Sequence, residues 1–283
     1  MNDLRATLRA ASDRLRHSGI HSADAEAHQL LEHAWGRSGE QVRRAVLMGE
    51  ELPDDVGDRF DVLVDERARR VPLQHLTGRA HFRHLELEVG PGVFVPRPET
   101  ELIVDLGLAH VPQGGTLVDL CTGAAPIPLA VKQERPDLRV HAVELTEHAF
   151  AWATRNAQRL GLDIDLVSAP AQDAFPELTG VVDVVLSNPP YIPDAMVPVD
   201  PEVRDHDPAE ALYGGSADGL RIPLEVAARA FELLRPGGVL IMEHAETQGD
   251  SLPAALARAG WVDARDEPDL TGRPRFAVAF RPR

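Results

Sequence analysis

The stretch Thr116-Leu117-Val118-Asp119-Leu120-Cys121-Thr122-Gly123-Ala124-Ala125-Pro126-Ile127-Pro128 runs an apolar strand into a turn of small residues and then into a proline-led helix start. Small side chains in such a turn let backbone approach a ligand, and proline suits the first helical turn, where N–H groups have no intrahelical partner. About twenty residues on, Val140-His141-Ala142-Val143 ends on Glu144, and a carboxylate there can accept both hydroxyls of a ribose. Outward from this pair the texture keeps alternating. Helices are predicted at 99–107, 128–135, 147–160, 223–234 and 252–259, and strands at 116–120, 139–143, 164–168, 181–187, 238–243 and 276–280. Such alternation implies an α/β domain with a parallel, doubly wound sheet covered on both faces, with ligands at the carboxyl ends of the strands.

Strand, small turn and ribose acid are shared by dinucleotide and S-adenosylmethionine (SAM) folds, so the remaining strand ends make the choice. After the third strand Asp173 follows in Ala171-Gln172-Asp173, where a carboxylate can accept from the exocyclic amine of adenine. The fourth ends in Ser187-Asn188-Pro189-Pro190-Tyr191. Asn188 offers an amide oxygen, Pro189 a carbonyl stiffened by neighbouring rings, and Tyr191 a flat face, a set suited to gripping a planar NH₂ group. An amide nitrogen is a poor nucleophile because its lone pair is delocalised. Accepting both of its hydrogens on fixed acceptors orients it for in-line methyl transfer, with no covalent enzyme intermediate. Hydride transfer has no use for such a grip.

The first 75 residues read differently. Leu4, Leu8, Ala11 and Leu15 recur at helical spacing, Ser22 reads as an N-cap before Ala25, His28, Leu31 and Trp35, and stretches 41–48 and 53–70 continue the pattern. Leu85, Leu87 and Val89 alternate with Glu86 and Glu88, the mark of a strand or hairpin. The chain therefore divides into a helical domain (1–75), a β-hairpin linker (76–97) and an α/β domain (98–283).

Composition excludes several classes. With 29 Lys and Arg against 45 Asp and Glu the net charge is −16, which repels nucleic-acid backbones. The imbalance falls mostly after residue 90, because residues 1–90 carry 13 basic and 16 acidic side chains, which reads as an ordinary solvated helical surface ahead of a dedicated RNA-facing patch. No run approaches the ~18 apolar residues of a membrane span, and the N-terminus lacks a signal-peptide pattern. The single cysteine, Cys121, suits a reducing compartment, the cytoplasm, and the 12 histidines form no metal-ligand pattern, so no metal is expected.

Longer motifs add a resemblance that covers nearly the whole chain. Arg70-Val71-Pro72-Leu73-Gln74-His75-Leu76-Thr77-Gly78 with Phe82, Val95-Pro96-Arg97-Pro98-Glu99-Thr100-Glu101, Asn188-Pro189-Pro190-Tyr191-Ile192 and Glu202-Val203-Arg204 with Asp207-Pro208 resemble the release-factor glutamine methyltransferases, the PrmC or HemK family. Ala211-Leu212, Gly214-Gly215, Asp218-Gly219-Leu220, Arg235-Pro236-Gly237-Gly238 and Asp269-Leu270-Thr271-Gly272-Arg273 also fit. The Asn-Pro-Pro-Tyr motif is shared with DNA amino-methyltransferases, whereas the Pro-Arg-Pro-Glu-Thr segment is more particular.

The resemblance implies a Rossmann-like class I SAM-dependent methyltransferase domain, mainly parallel with an antiparallel last strand, behind a small helical domain that helps dock the protein substrate. It implies methyl transfer from SAM, leaving S-adenosylhomocysteine, to the side-chain nitrogen of the glutamine in the Gly-Gly-Gln motif of peptide chain release factors, an event of translation termination. Cys121, Thr122, Gly123, Ala124 and Ala125 would hold SAM, with Glu144 on the ribose, Asp173 and Ala174 at the adenine, and Phe94 and Arg97 near the methionine part. Asn188, Pro189, Pro190 and Tyr191 would hold the glutamine amide, with Asn188 also touching the cofactor. Asp218-Gly219-Leu220 and Glu243-His244-Ala245 read either as the border of the pocket or as turn and core residues, and stay outside this set.

One departure stands out. The family turn carries a second glycine where this chain has Ala124-Ala125-Pro126. If position 125 takes positive φ, alanine strains the turn and its methyl crowds the tail of SAM, so SAM binding would be weakened and Ala125→Gly would tighten it. A divergent relative that binds a partner without methylating it, and a DNA amino-methyltransferase, remain as alternatives, the second disfavoured by the net charge.

Overall fold

Strands buried on both faces should read as continuous apolar runs, and the central strands of this protein follow that rule. In the computed structural model, which describes residues 3–283, odd and even positions of one strand go to opposite layers: Val239 and Ile241 join one core, Leu240 and Met242 the other. Contacts divide the chain into two units, residues 3–79 with Pro198–His206, and Ala80–Val197 with Asp207–Arg283.

The smaller unit consists of α1 (Leu4–His17), α2 (Ala23–Trp35), α3 (Gly39–Met48), α4 (Asp54–Ala68) and the short α5 (Leu73–Thr77). Leu4, Leu15, Leu30, Leu31 and Phe60 fill its core. Asp3 caps α1 by accepting from the Arg5 N–H at 3.0 Å, and Ser38 with Gln41 forms a capping box on α3. Ser22 stands at the N-cap position of α2 without capping it. Its hydroxyl donates instead to Glu26 Oε1 at 2.7 Å, and Glu26 is itself paired with Arg67.

The larger unit takes over at Ala80, within the hairpin of β1 (Arg79–Phe82) and β2 (Leu85–Glu88), which is followed by a 3₁₀ turn (Pro98–Glu101) and α6 (Leu102–Leu108). The alternation then runs β3 (Thr116–Leu120), α7 (Pro126–Glu134), β4 (Arg139–Glu144), α8 (Glu147–Leu160), β5 (Asp165–Ser168) and β6 (Val182–Ser187). The short α9 (Pro201–His206) belongs to the helical unit. It is followed by α10 (Arg221–Leu233), β7 (Leu234–Glu243), α11 (Ser251–Arg258), β8 (Val262–Pro268) and β9 (Pro274–Phe280).

The seven-stranded sheet has the order β5-β4-β3-β6-β7-β9-β8. Strands β3 to β7 pair in parallel, and β9 runs antiparallel to both of its neighbours. The chain leaves β3 in one direction through β4 and β5, then returns to its other side at β6. The topological switch, and with it the crevice where such sheets bind ligands, therefore lies between the carboxyl ends of β3 and β6.

Three features depart from the sequence expectations. The strand β8 is absent from them because Val262-Asp263-Ala264-Arg265-Asp266-Glu267 is charged and largely exposed, as an edge strand can be. The hairpin buries Phe82, Leu85 and Leu87 in the same core as Leu117 and Leu129, so it is built into the larger unit instead of linking two parts. Segment Pro198–His206 returns to the helical unit, where Glu202 pairs with Arg67 and Arg70 at 2.7 and 2.5 Å. Among the described residues no helix is long and apolar enough to cross a membrane.

Candidate active site

The turn after β3 is held from three sides. Thr122 N–H donates to the Val143 carbonyl at 3.0 Å, Ala125 N–H closes back on the Thr122 carbonyl at 3.0 Å, and Thr122 Oγ1 donates to Asp119 Oδ2 at 2.5 Å. Gly123 N–H donates to Glu144 Oε2 at 2.8 Å, while Glu144 Oε1 accepts from both the amide and the hydroxyl of Thr146. The small-residue turn and the ribose acid predicted from the sequence are thus joined directly. Each carboxylate oxygen has more than one acceptor site, so Glu144 keeps capacity for further donors.

Cys121, Gly123 and Ala125 all adopt positive φ, at 71°, 59° and 64°. Gly123 is partly exposed, and a Cβ built on it would meet nothing within 4 Å, so open space lies in front of the turn. The strain expected at Ala125 is present, but the crowding is not. Its methyl is fully buried in the core with Ile127 and Leu129, and Ala124 packs against Val89, Val93 and Ala149.

Asn156 of α8 braces the same turn. Fully buried, its amide accepts from Glu88 N–H at 2.7 Å and donates to the carbonyls of Glu88 and Ala124 at 2.9 and 3.1 Å. Asp119 is buried as well, and its Oδ1 has no hydrogen-bond partner among the described residues. Burial pushes its carboxyl up to about 8, against the Thr122 hydroxyl and helped by the Glu144 charge. Desolvation, with the Glu144 and Asp119 charges nearby, also pushes the Cys121 thiol up.

Segment 171–174 follows β5, two strands from β3. Asp173 is exposed, as a ligand-facing acid can be. Ala174 is buried, with its carbonyl taken by Arg229 at 2.7 and 2.9 Å and its N–H by Ala171, so it offers a wall and no free polar group. Phe94 and Arg97 pair with each other, the guanidinium 5.0 Å from the ring centroid, and Arg97 Nη2 reaches Asp207 Oδ2 at 3.0 Å. The Arg97 charge is felt by the Tyr191 hydroxyl, which sets this pair toward the Asn-Pro-Pro-Tyr end of the crevice.

At that end Ser187 Oγ donates to the Leu120 carbonyl at 2.5 Å, tying β6 to the start of the turn after β3. Pro189 and Pro190 are buried, and Asn188 and Tyr191 stay partly exposed. Tyr191 N–H donates to the Leu212 carbonyl, and its own carbonyl accepts from Gln248 Nε2 at 3.0 Å. Gly219, at φ 73°, is required here, because a Cβ would lie 2.1 Å from that carbonyl.

Four polar residues outside the predicted set shape the site: Asp119, Asn156, Thr100 and Glu243. The signal for Asp119 and Glu243 is an acid inside an apolar strand, costly unless used. Asn156 gives no comparable signal, since one polar residue in a helix is ordinary. Among the described residues no group of three or more His, Cys, Asp or Glu side chains could hold a metal ion.

Residues 6–78 match the PrmC N-terminal domain, and residues 86–200 match the methyltransferase small domain. A methyltransferase structure from Pyrococcus furiosus superposes with a TM-score of 0.54 over 77% of this chain and 99% of its own, at 21% identity, which supports the class I methyltransferase fold. Release factor glutamine methyltransferase of Streptomyces coelicolor is 48% identical over 99% of this chain and 98% of its own length. The protein of the same name from Bifidobacterium longum is 44% identical over 96% and 97%, and that of Deinococcus radiodurans 38% over 98% of each. On identity and coverage of this extent, together with the sheet and the strand-end site they accompany, the chain belongs to the release factor glutamine methyltransferase family.

Proposed function

We propose that the protein transfers a methyl group from SAM to the side-chain amide nitrogen of the glutamine in the Gly-Gly-Gln motif of peptide chain release factors, in the cytoplasm, with the helical unit docking the substrate. The observation that carries this is the placement of Asn188, partly exposed at the end of β6, beside the turn that follows β3. SAM supplies a methyl on a positively charged sulfur, and the open space before Gly123, the spare acceptor sites of Glu144 and the unpartnered Asp119 Oδ1 fit a ligand bearing ribose hydroxyls and an ammonium group.

Asn188 Oδ1 and the Pro189 carbonyl would accept the two N–H hydrogens of the glutamine amide and hold its nitrogen in line with the methyl. The Tyr191 ring would exclude water from one face. The methyl would pass to that nitrogen with cleavage of its bond to the SAM sulfur, leaving S-adenosylhomocysteine, and the nitrogen would release one proton to solvent. The turn retains its closing hydrogen bonds with alanine at 124 and 125, which takes away the motive for a non-catalytic relative.

Incubation of the purified protein with a release factor and methyl-labelled SAM should place label on the Gly-Gly-Gln glutamine and none on a factor with that glutamine changed to alanine. Asn188→Ala should lower kcat/KM by roughly 100-fold or more, the usual cost of removing a preorganised polar group at a reacting centre. Retained activity refutes the role given to Asn188. Label on duplex DNA instead of the factor refutes the substrate.

A further inference from the structure

We propose that Thr100 and Glu243 are positioning residues that decide which end of the Asn188 amide faces the substrate; the inference rests on the glutamine methyl-transfer reading. Thr100 lies in the 3₁₀ turn before α6, Glu243 at the carboxyl end of β7, and each is 3% exposed. Thr100 Oγ1 donates to Glu243 Oε2 at 2.7 Å, and Asn188 Nδ2 donates to Thr100 Oγ1 at 3.3 Å. A hydroxyl has one proton to give. Because Thr100 spends it on a carboxylate, which can only accept, it can take from Asn188 but not donate to it. The NH₂ end of Asn188 is thereby turned inward and the oxygen outward, the orientation needed to accept an N–H from an incoming amide.

The other oxygen of Glu243, Oε1, accepts from the Tyr191 hydroxyl at 3.2 Å. One buried carboxylate thus anchors both the first and the last residue of Asn-Pro-Pro-Tyr. The arrangement is directional because Glu243 is charged. Once protonated, the carboxyl could donate to Thr100, freeing the threonine proton for the Asn188 oxygen. The amide would then turn and present donors to a donor. Around Glu243, Arg275 of β9 favours the charged form and Glu99 of the 3₁₀ turn disfavours it. Neighbouring His244, buried against Asp266, is held toward its neutral form by burial. Burial dominates and pushes the carboxyl up to about 7.

The test compares Thr100→Val, Thr100→Ser and Glu243→Gln with the wild type, measuring kcat and KM on a release factor from about pH 5.5 to about pH 9 and SAM binding by calorimetry. Thr100→Val should lower kcat roughly 30-fold, about 2 kcal/mol, with SAM affinity within about twofold of wild type. Thr100→Ser, which keeps the hydroxyl, should recover to within about threefold. Wild-type kcat should fall below about pH 7 and Glu243→Gln should lose that acid limb. A Thr100→Val enzyme within threefold of wild type, or an acid limb unchanged in Glu243→Gln, overturns the inference. If the glutamine variant does not fold, the valine and serine pair decides alone. A wild type that never methylates the factor overturns the functional reading and this inference together, and is distinguished from failure of the positioning role by the wild-type control.

Discussion

Changing Glu202 to glutamine should destabilise the helical unit by roughly 2 kcal/mol at neutral pH, with a loss that shrinks in acid. Glu202 Oε1 meets Arg67 Nη2 at 2.7 Å and Oε2 meets Arg70 Nη2 at 2.5 Å. Arg67, whose side chain is 6% exposed, is shared with Glu26. Burial pushes the Glu202 carboxyl up, but hydrogen bonding with Asp200, Arg70 and Arg67 more than reverses this and holds it at about 2. An unperturbed glutamate titrates near 4.3, so the difference corresponds to roughly 3 kcal/mol. Water reaching the outer part of the cluster lowers that to about 2 kcal/mol.

The folded value lies below the unfolded one, so this stabilisation is complete above about pH 5 and is lost as the pH falls toward about 2. Glutamine keeps the shape without the charge. The gap between wild type and variant should therefore follow the same curve, with about half of it left near pH 3. Urea unfolding of both proteins at neutral pH and near pH 3, followed by circular dichroism, measures the gap at each condition. A gap under about 0.5 kcal/mol at neutral pH, or one of equal size at both values, refutes the reasoning.

Two further changes bear on the cofactor turn. Ala125→Gly relieves a left-handed alanine, worth roughly 1–2 kcal/mol, and removes a buried methyl, which costs about 1.4 kcal/mol in transfer and cavity. Tm should stay within about 3 °C and the SAM Kd within about twofold, and a tenfold tightening would show that the methyl crowds the cofactor after all. Asn156→Ala leaves the Glu88 N–H and the Glu88 and Ala124 carbonyls without partners, which should cost roughly 3 kcal/mol in thermal unfolding. A loss below about 1 kcal/mol would mean that water takes the place of the amide.

Much of the fold was legible because it is written in local patterns. Buried parallel strands need apolar runs, and Leu117-Val118, Val140 to Val143 and Val182 to Leu186 supply them. The N-terminal helices show their buried face at spacings of three and four. The edge strand β8 was illegible for the converse reason, since a strand exposed on its outer side carries charge and loses the apolar signature. Ser22 misled because a capping residue and a partner for Glu26 look alike in one dimension.

At the proposed site, residue type and position at strand ends already point to the turn at Cys121 to Ala125, to Glu144 and to the Asn188 to Tyr191 motif. How those residues are oriented is set by their neighbours in three dimensions. Whether the Ala125 methyl points at a ligand or into the core depends on φ and on packing from residues 127 and 129, and the core received it. Which end of the Asn188 amide faces outward depends on a threonine 88 positions away and a glutamate on the next strand of the sheet. Hydrogen-bond direction is a property of neighbours in space, set by how many protons each partner has to give, and it leaves no trace in the order of residues along the chain.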